Sequence, residues 1–283
     1  MKRSAFTRRA FLKFSGASLA AIAGLGVYAR WLEPHWLEIV HRRLPIDRLP
    51  GRLIGLTLAQ ISDVHVGPRV DNAYLISVFQ CVTTLNPDIV VFTGDFISYY
   101  PRVFAEIPLV YQFFPTGRLA TLAVLGNHDY GPAWSYPEIA EQVVESVQQF
   151  GITVLRNQVW EVDGLQIAGL DDLWGHQFQL APTLAALDPA KASIVLSHNP
   201  DTVDLPGWSG YHGWVLSGHT HGGQCKPPFL PPPLLPVQNT RYTAGEFPLA
   251  GNRRMYINRG VGHLIEVRFN VRPEVTLFEL TEA

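Results

Sequence analysis

Thiol chemistry has almost no place in this chain, because cysteine occurs only twice in 283 residues, at Cys81 and Cys225. The two lie far apart and in no CxxC or zinc-finger spacing, so they permit at most one disulfide and require none. Both read as simple buried thiols. Charge is scarce as well: 16% of residues are charged and the formal net charge is −2. That balance excludes a global basic field of the kind that recruits nucleic acid, and no nucleic-acid partner is expected. Set beside 47% hydrophobic residues, the same scarcity argues against disorder and for a sizeable core. Internal repeats are lacking. No apolar run reaches the ~20 residues of a confident membrane span; the longest, near the N-terminus, covers about 16.

That N-terminal run has an informative approach. Arg8 and Arg9 precede Phe11, Leu12 and Lys13, and the small-residue stretch "ASLAAIAGLGVYA" follows. A basic start before such a run reads as an export signal. The paired arginines resemble the twin-arginine signal, whose route carries proteins already folded. Ala29 offers a small residue for cleavage, while Tyr28 and Arg30 beside it argue the other way. Residues 1–29 are therefore expected to be a signal peptide or an anchor. Residues 30–51 are expected to connect, with an edge strand or stalk at "WLEIVHRRLPI", and residues 52–283 to form the domain.

Within the domain, "RLIGLTLAQISD", "DIVVFTGD" and "LATLAVLGNHD" read as strands, each followed by a segment of helical spacing. The second of those helices, "RVFAEIPLVYQFF", is expected to break at Pro108, and the third to carry Pro137 in its first turn. "ITVLRNQVWEV" and "LQIAGLDD" flank the turn signal Asp163-Gly164 as a hairpin. A short helix over 179–188 leads to the strands "ASIVLSHNP" and "GWVLSGHTHGG", and "RMYINRG" and "EVTLFEL" close the chain. Continuous apolar runs of this kind mark buried strands, and the order implies a layered α/β domain with two packed sheets.

The polar residues collect where these strands end. They are Asp63 and His65 in "SDVH", Asp95 in "TGD", Asn127, His128 and Asp129 in "GNHD", His198 in "SHN", and His219 and His221 in "GHTH". Carboxyl ends of strands are where open α/β sheets keep their ligand sites. His219 and His221, two apart, leave one face of an extended strand together. Alone they fit a polar turn as well as a metal site. As one of five strand-end motifs, they fit a shared metal centre.

In this order the motifs D-x-H, GD, GNHD, H and GH-x-H resemble those of the calcineurin-like metallophosphoesterases, over about residues 52–280. The resemblance implies a four-layer α/β/β/α sandwich holding two divalent metal ions. It implies Asp63, His65 and His221 on one ion, Asn127, His198 and His219 on the other, and Asp95 bridging both. Carboxylate, amide and imidazole donors suit manganese, with iron or zinc as alternatives, and the lack of thiolates argues against a structural zinc site. His128 has no ligand role in that pattern and stands as a general acid or charge stabiliser for the leaving oxygen. Asp129 is expected to orient the His128 imidazole; the other reading is a cap on the following turn. Asp171 and Asp172 of "AGLDD" are read as supporting or turn residues.

The signal, the "GHTHGGQ" wording and the tail from "RRMYINRG" to "EVTLFEL" further resemble exported bacterial envelope phosphodiesterases and the pyrophosphatases of UDP-2,3-diacylglucosamine. The expected activity is thus a metal-dependent phosphodiesterase, periplasmic or at the outer face of the cytoplasmic membrane. Its expected partners are a phosphate-ester substrate, lipid in kind, the membrane surface and the twin-arginine machinery. The UDP-sugar pyrophosphatase of lipid A synthesis is the alternative, and a non-catalytic metal-binding envelope protein is the rival from another class. Two apolar segments flank the motifs. The aromatic-rich stretch from Tyr99 to Phe114 reads as packing. "KPPFLPPPLLP", 226–236, cannot be helix or central strand, and its Phe229, Leu230, Leu234 and Leu235 are expected along the approach to the site.

Overall fold

The computed structural model describes residues 7–208 and 210–283. Chain order gives α1 (Arg8–Val27), β1 (Glu38–Ile46), β2 (Thr57–Ile61), α2 (Asn72–Leu85), β3 (Ile89–Thr93) and α3 (Val103–Tyr111). There follow β4 (Ala120–Val124), α4 (Pro137–Gln148), β5 (Thr153–Val154), β6 (Gln158–Val162), β7 (Leu165–Gly169) and α5 (Leu180–Ala185). The chain closes with β8 (Ala192–Leu196), β9 (Trp214–Ser217), β10 (Gly245–Pro248), β11 (Arg254–Ile257) and β12 (Glu274–Glu282).

The strands form two six-stranded sheets, ordered β1-β12-β2-β3-β4-β5 and β10-β11-β9-β8-β7-β6. Within the first, β2, β3 and β4 are parallel neighbours, and within the second β8 and β9 are. Alternation along each strand decides what lies on either face. Val90 and Phe92 of β3 pack with Leu75 and Phe79 of α2, Val110 of α3 and Val143 of α4. Ile89 and Val91, one residue out of phase, pack instead with Ile167, Ile194, Leu196 and Leu216 of the second sheet. The outer face of the second sheet, with Val195, Val215 and Ile257, is covered by Leu180 of α5 and by Val203, Trp208 and Tyr211. The result is the expected α/β/β/α sandwich with a thin fourth layer of one short helix and loops. Truncating a residue such as Phe92, wholly buried between layers, is worth about 3–5 kcal/mol.

Four local expectations change. The α3 helix runs through Pro108 instead of breaking there, held by the buried Val103, Ile107, Val110 and Tyr111. The stretch 152–162 is two strands, not one: Asn157 takes a left-handed φ of 56°, and the chain passes from the first sheet to the second. Cys81 and Cys225 are free but only half-buried. The N-terminal helix does not stop with its apolar run. It continues through Tyr28–Leu32 and Glu33–His35, so the stretch Phe11–His35 is 25 residues, long and apolar enough to cross a membrane.

Candidate metal centre

Each strand-end motif lies just beyond its strand, and the two sheets bring all five to one edge. The backbone there is unusual. Asp63, His65, Asp95, His219 and His221 all have φ between 50° and 72°, a left-handed conformation that non-glycine residues rarely adopt. Such strain persists only where the surroundings over-determine it, and it gathers at functional sites. Two glycines make room for the turns. A Cβ at Gly126 would fall on the Asp95 carboxylate, and one at Gly218 on Ser62 Oγ.

The side chains converge in two groups. Asp63, His65, Asp95 and His221 each offer a donor atom within 4.8 Å of the others, as do Asp95, His198 and His219. Asp95 belongs to both. In the first group, His221 Nε2 lies 3.2 Å from Asp63 Oδ1 and 3.1 Å from His65 Nε2, which is 3.5 Å from Asp95 Oδ2. In the second, His198 Nε2 is 3.2 Å from Asp95 Oδ2 and 3.1 Å from His219 Nδ1. All of these side chains are buried.

The outward nitrogens show what the inward ones must be. His198 Nδ1 meets the Thr93 carbonyl at 2.7 Å, and His219 Nε2 meets the Pro236 carbonyl at 2.7 Å. A carbonyl only accepts, so each of those nitrogens carries a proton, and His198 Nε2 and His219 Nδ1 are the ring nitrogens turned toward the shared space. These two inward nitrogens face one another at 3.1 Å, so either a proton held on His198 or a cation lies between them. Burial pulls the His65 and His219 pKa values down to about 3, which keeps both imidazoles in the neutral, ligating form. Burial also opposes a charge on His198, but the Asp95 carboxylate outweighs it and pushes that pKa up to about 10. Asn127 Oδ1 is buried without a hydrogen-bond partner. Buried carboxylates and imidazoles around one space, with an orphan amide oxygen on the adjoining loop after β4, fit divalent metal ions.

His128 stands beside the first group, half-buried, its ring edge-on to His65 at 5.0 Å between centroids. Its backbone N–H donates to Asp95 Oδ1 at 2.9 Å. Among the described residues its ring makes no hydrogen bond. The expected partnership with Asp129 is corrected here. The Asp129 carboxylate accepts from the backbone N–H groups of Asp95 (3.1 Å), Phe96 (2.8 Å), Ile97 (3.2 Å) and Gly126 (2.8 Å). With both oxygens taken, it clamps the loop after β3 to the loop after β4 instead of steering an imidazole.

Sequence reasoning missed an aromatic wall. Trp134 and Trp174 stack at 4.6 Å; Trp134 also lies 6.4 Å from the His128 ring, and Trp174 lies edge-on to His219 at 4.6 Å. Ala133 and Trp134 both carry left-handed φ values, 50° and 56°. The only sequence signal was nearness: Trp134 follows "GNHD" by five residues, and Trp174 follows "AGLDD" by two. Asp171 accepts from Tyr130 and Arg156, while Asp172 caps the Trp174 loop through the N–H groups of Trp174 (2.7 Å) and Gly175 (2.9 Å).

The Pro-rich segment does reach this edge. Beyond the Pro236 carbonyl on His219, a Cβ on Gly223 would strike Pro232. Phe229, Leu230 and Leu234 are exposed, Phe229 and Leu234 at 105% and 80%, and Leu235 is half-buried.

Comparison with known proteins agrees with this geometry. A family model described as calcineurin-like phosphoesterase matches residues 56–223. The uncharacterized metallophosphoesterase YkuE of Bacillus subtilis is 34% identical, covering 99% of this chain and 98% of its own. Phosphodiesterase YaeI of Escherichia coli is 32% identical over 97% of this chain and 99% of its own. The UDP-2,3-diacylglucosamine pyrophosphatase LpxG of Chlamydia trachomatis is 29% identical over 92% and 94%.

Proposed function

The chain belongs to the calcineurin-like phosphoesterase family and is a hydrolase of phosphoesters, and from that premise we propose that it is a phosphodiesterase with a binuclear metal centre, acting on an envelope lipid or lipid-linked phosphodiester. The observation that carries the reading is the pair of donor groups sharing Asp95, with the buried, unpartnered Asn127 oxygen on the adjoining loop. Asp63, His65 and His221 would hold one ion, and Asn127, His198 and His219 the other, with Asp95 between. A bound pair of divalent ions, manganese by preference and iron or zinc otherwise, supplies positive charge for the phosphoryl oxygens and activation of water.

The protein's own groups do the rest. The carbonyls of Thr93 and Pro236 hold two imidazoles in the ligating tautomer. Asp129 fixes the spacing of the loops that carry Asp95 and Asn127. His128, with its ring free of protein hydrogen bonds, donates a proton to the leaving oxygen. Trp134 and Trp174 close one side of the cleft against water, and Phe229, Leu230, Leu234 and Leu235 line the approach.

The diester preference is supported by the similarity to YaeI, and the envelope address by the twin-arginine pattern at Arg8 and Arg9, which implies export to the outer face of the membrane. The similarity to LpxG favours a second reading, hydrolysis of a nucleotide-sugar pyrophosphate. Metal-reconstituted protein assayed on paired chromogenic mono- and diesters, a phospholipid and UDP-2,3-diacylglucosamine separates these. Diester and phospholipid turnover is expected. Turnover of the UDP-sugar alone would install the second reading, and monoester turnover alone would overturn both.

A further inference from the structure

The N-terminal helix passes through the residues at which a removable signal would be cut. Around Ala29 the chain is helical and half-buried, and one face of it is bound to the domain. The Arg268 N–H donates to the Ala29 carbonyl at 2.9 Å. The Tyr28 ring sits edge-on to Phe269, with 6.5 Å between centroids, and Arg30 pairs with Glu266. Glu33 is wholly buried and accepts from the Val271 N–H at 2.5 Å. Arg272 donates to the carbonyls of Trp36 (3.0 Å) and Leu37 (2.8 Å), and its guanidinium lies 4.2 Å over the Trp36 ring.

This seat leads straight to the metal centre. The Arg268 guanidinium, itself wholly buried, donates to the carbonyls of Arg259 (2.9 Å), Gly260 (3.1 Å), Gly262 (2.6 Å) and Val271 (3.2 Å). In turn the Gly262 N–H donates to the Asp63 carbonyl at 2.7 Å, and the Val261 N–H to that of Ser62 at 3.0 Å. Residues 29–33 thus hold 268–271, which hold 259–262, which back Asp63.

Exposed apolar side chains lie around the seat, among charged ones such as Arg30 and Glu266. Trp31, Leu32 and Ile265 are exposed, as are Phe229, Leu230 and Leu234. The 264–269 strip joins these to the helix base: the Lys226 N–H donates to the Phe269 carbonyl (2.9 Å), and Gln224 Nε2 to that of Ile265 (2.9 Å). None of the apolar helix window is buried by the domain. At 1.5 Å per residue, the stretch from Phe11 to His35 is about 37 Å long, enough for a hydrocarbon layer of about 30 Å and one interface.

We propose that this helix stays on the mature protein as a bilayer anchor, that its base is part of the wall behind Asp63, and that Trp31, Leu32, Ile265 and the 229–234 tip form one lipid-contacting rim. Cleavage after Ala29 would require unwinding residues that the Arg268 amide and the Phe269 ring hold helical. The inference deepens the envelope address proposed above and rests on that address alone, not on the choice of substrate.

The test uses the full chain with a C-terminal tag, produced in a bacterium that has the twin-arginine route. Carbonate-washed membranes are expected to retain it, with an intact mass that includes residues 8–29. A soluble mature chain beginning at Arg30 would overturn the anchor. Protease added outside spheroplasts is expected to digest the domain. Protection there, with the mass intact, would overturn the envelope address while the anchor stands. The coupling is read from Glu33→Ala in the detergent-extracted full chain, where metal retention under chelation should weaken roughly two- to thirtyfold, the range of coupling between linked sites. Unchanged retention together with an unchanged melting temperature would remove Asp63 from the anchor's reach.

Discussion

The two halves of the metal centre are built to different tolerances. In the half with His198 and His219, both imidazoles are pinned from behind by backbone carbonyls, those of Thr93 and Pro236. In the half with His65 and His221, the pins are weaker. His65 Nδ1 meets a side-chain hydroxyl, Ser98 Oγ, at 3.1 Å, and His221 Nδ1 has no partner among the described residues. Orientation by an outer hydrogen bond sets the tautomer of a ligating histidine and raises its basicity. The second half is therefore the preorganised one, and the first is the half that adapts. His128 stands beside the adaptable half, its ring edge-on to His65.

Asp95 is the one side chain common to both, so its loss tests the comparison hardest. Asp95→Asn should release both ions and cost each more than the roughly 10–100-fold that loss of an outer partner costs. Metal counting on purified protein reads this, with the exposed Glu145→Gln as control. If Asp95→Asn keeps one ion at full occupancy, the two halves do not share it. By contrast His128→Ala should keep both ions and lower turnover by about 10²–10⁴-fold. That loss should shrink for substrates whose leaving groups need no proton. A variant depleted of metal would make His128 a ligand and erase the division of labour.

How far this could be read beforehand differs by region for a physical reason. The strand-end residues Asp63, Asp95, Asn127 and His198 were legible because each closes a continuous apolar run, and both the run and the polar stop are local. The order of the motifs then carried the fold. What a local reading could not see were contacts made across the chain. Asp129 takes the N–H groups of residues more than thirty positions earlier as well as that of its neighbour Gly126. The apolar count at the N-terminus stopped at a charge, whereas the helix goes on through Arg30, which pairs with Glu266 on the far side of the sequence. Left-handed backbone at Ala133, Trp134 and Asn157 leaves no mark in composition, so the aromatic wall and the sheet-to-sheet crossing stayed hidden.

A smaller effect sharpens the difference between the halves. Ser98→Ala removes the outer bond of His65 and leaves the second half untouched. It should weaken the first ion alone, by about 10–100-fold. Stepwise chelation followed by metal analysis is the measurement, and in the unaltered protein one ion is expected to leave well before the other. Simultaneous departure in both proteins would mean that the halves are equally held and that the carbonyl pins do not matter.

The least effect on the chemistry is expected from the rim, where the second half meets the outside. Pro236 pins His219 through its carbonyl, yet two residues away Leu234 is exposed, and Phe229 stands free of the domain altogether. The backbone of this segment belongs to the site and the side chains do not. Changing Phe229 and Leu234 together to Ser should therefore leave both ions, the melting temperature and hydrolysis of a small soluble diester nearly unchanged. Against a bilayer the same change removes two side chains, each worth about 1.5–3 kcal/mol when fully taken out of water. Their insertion is partial, so the loss in liposome binding should be a fraction of that sum, with cleavage of a phospholipid falling in proportion. If hydrolysis of the soluble diester falls equally, the side chains are holding Pro236 in place and the segment is a structural lid on the second half. If neither activity moves, the rim does not touch lipid, and the anchor alone brings the site to the membrane.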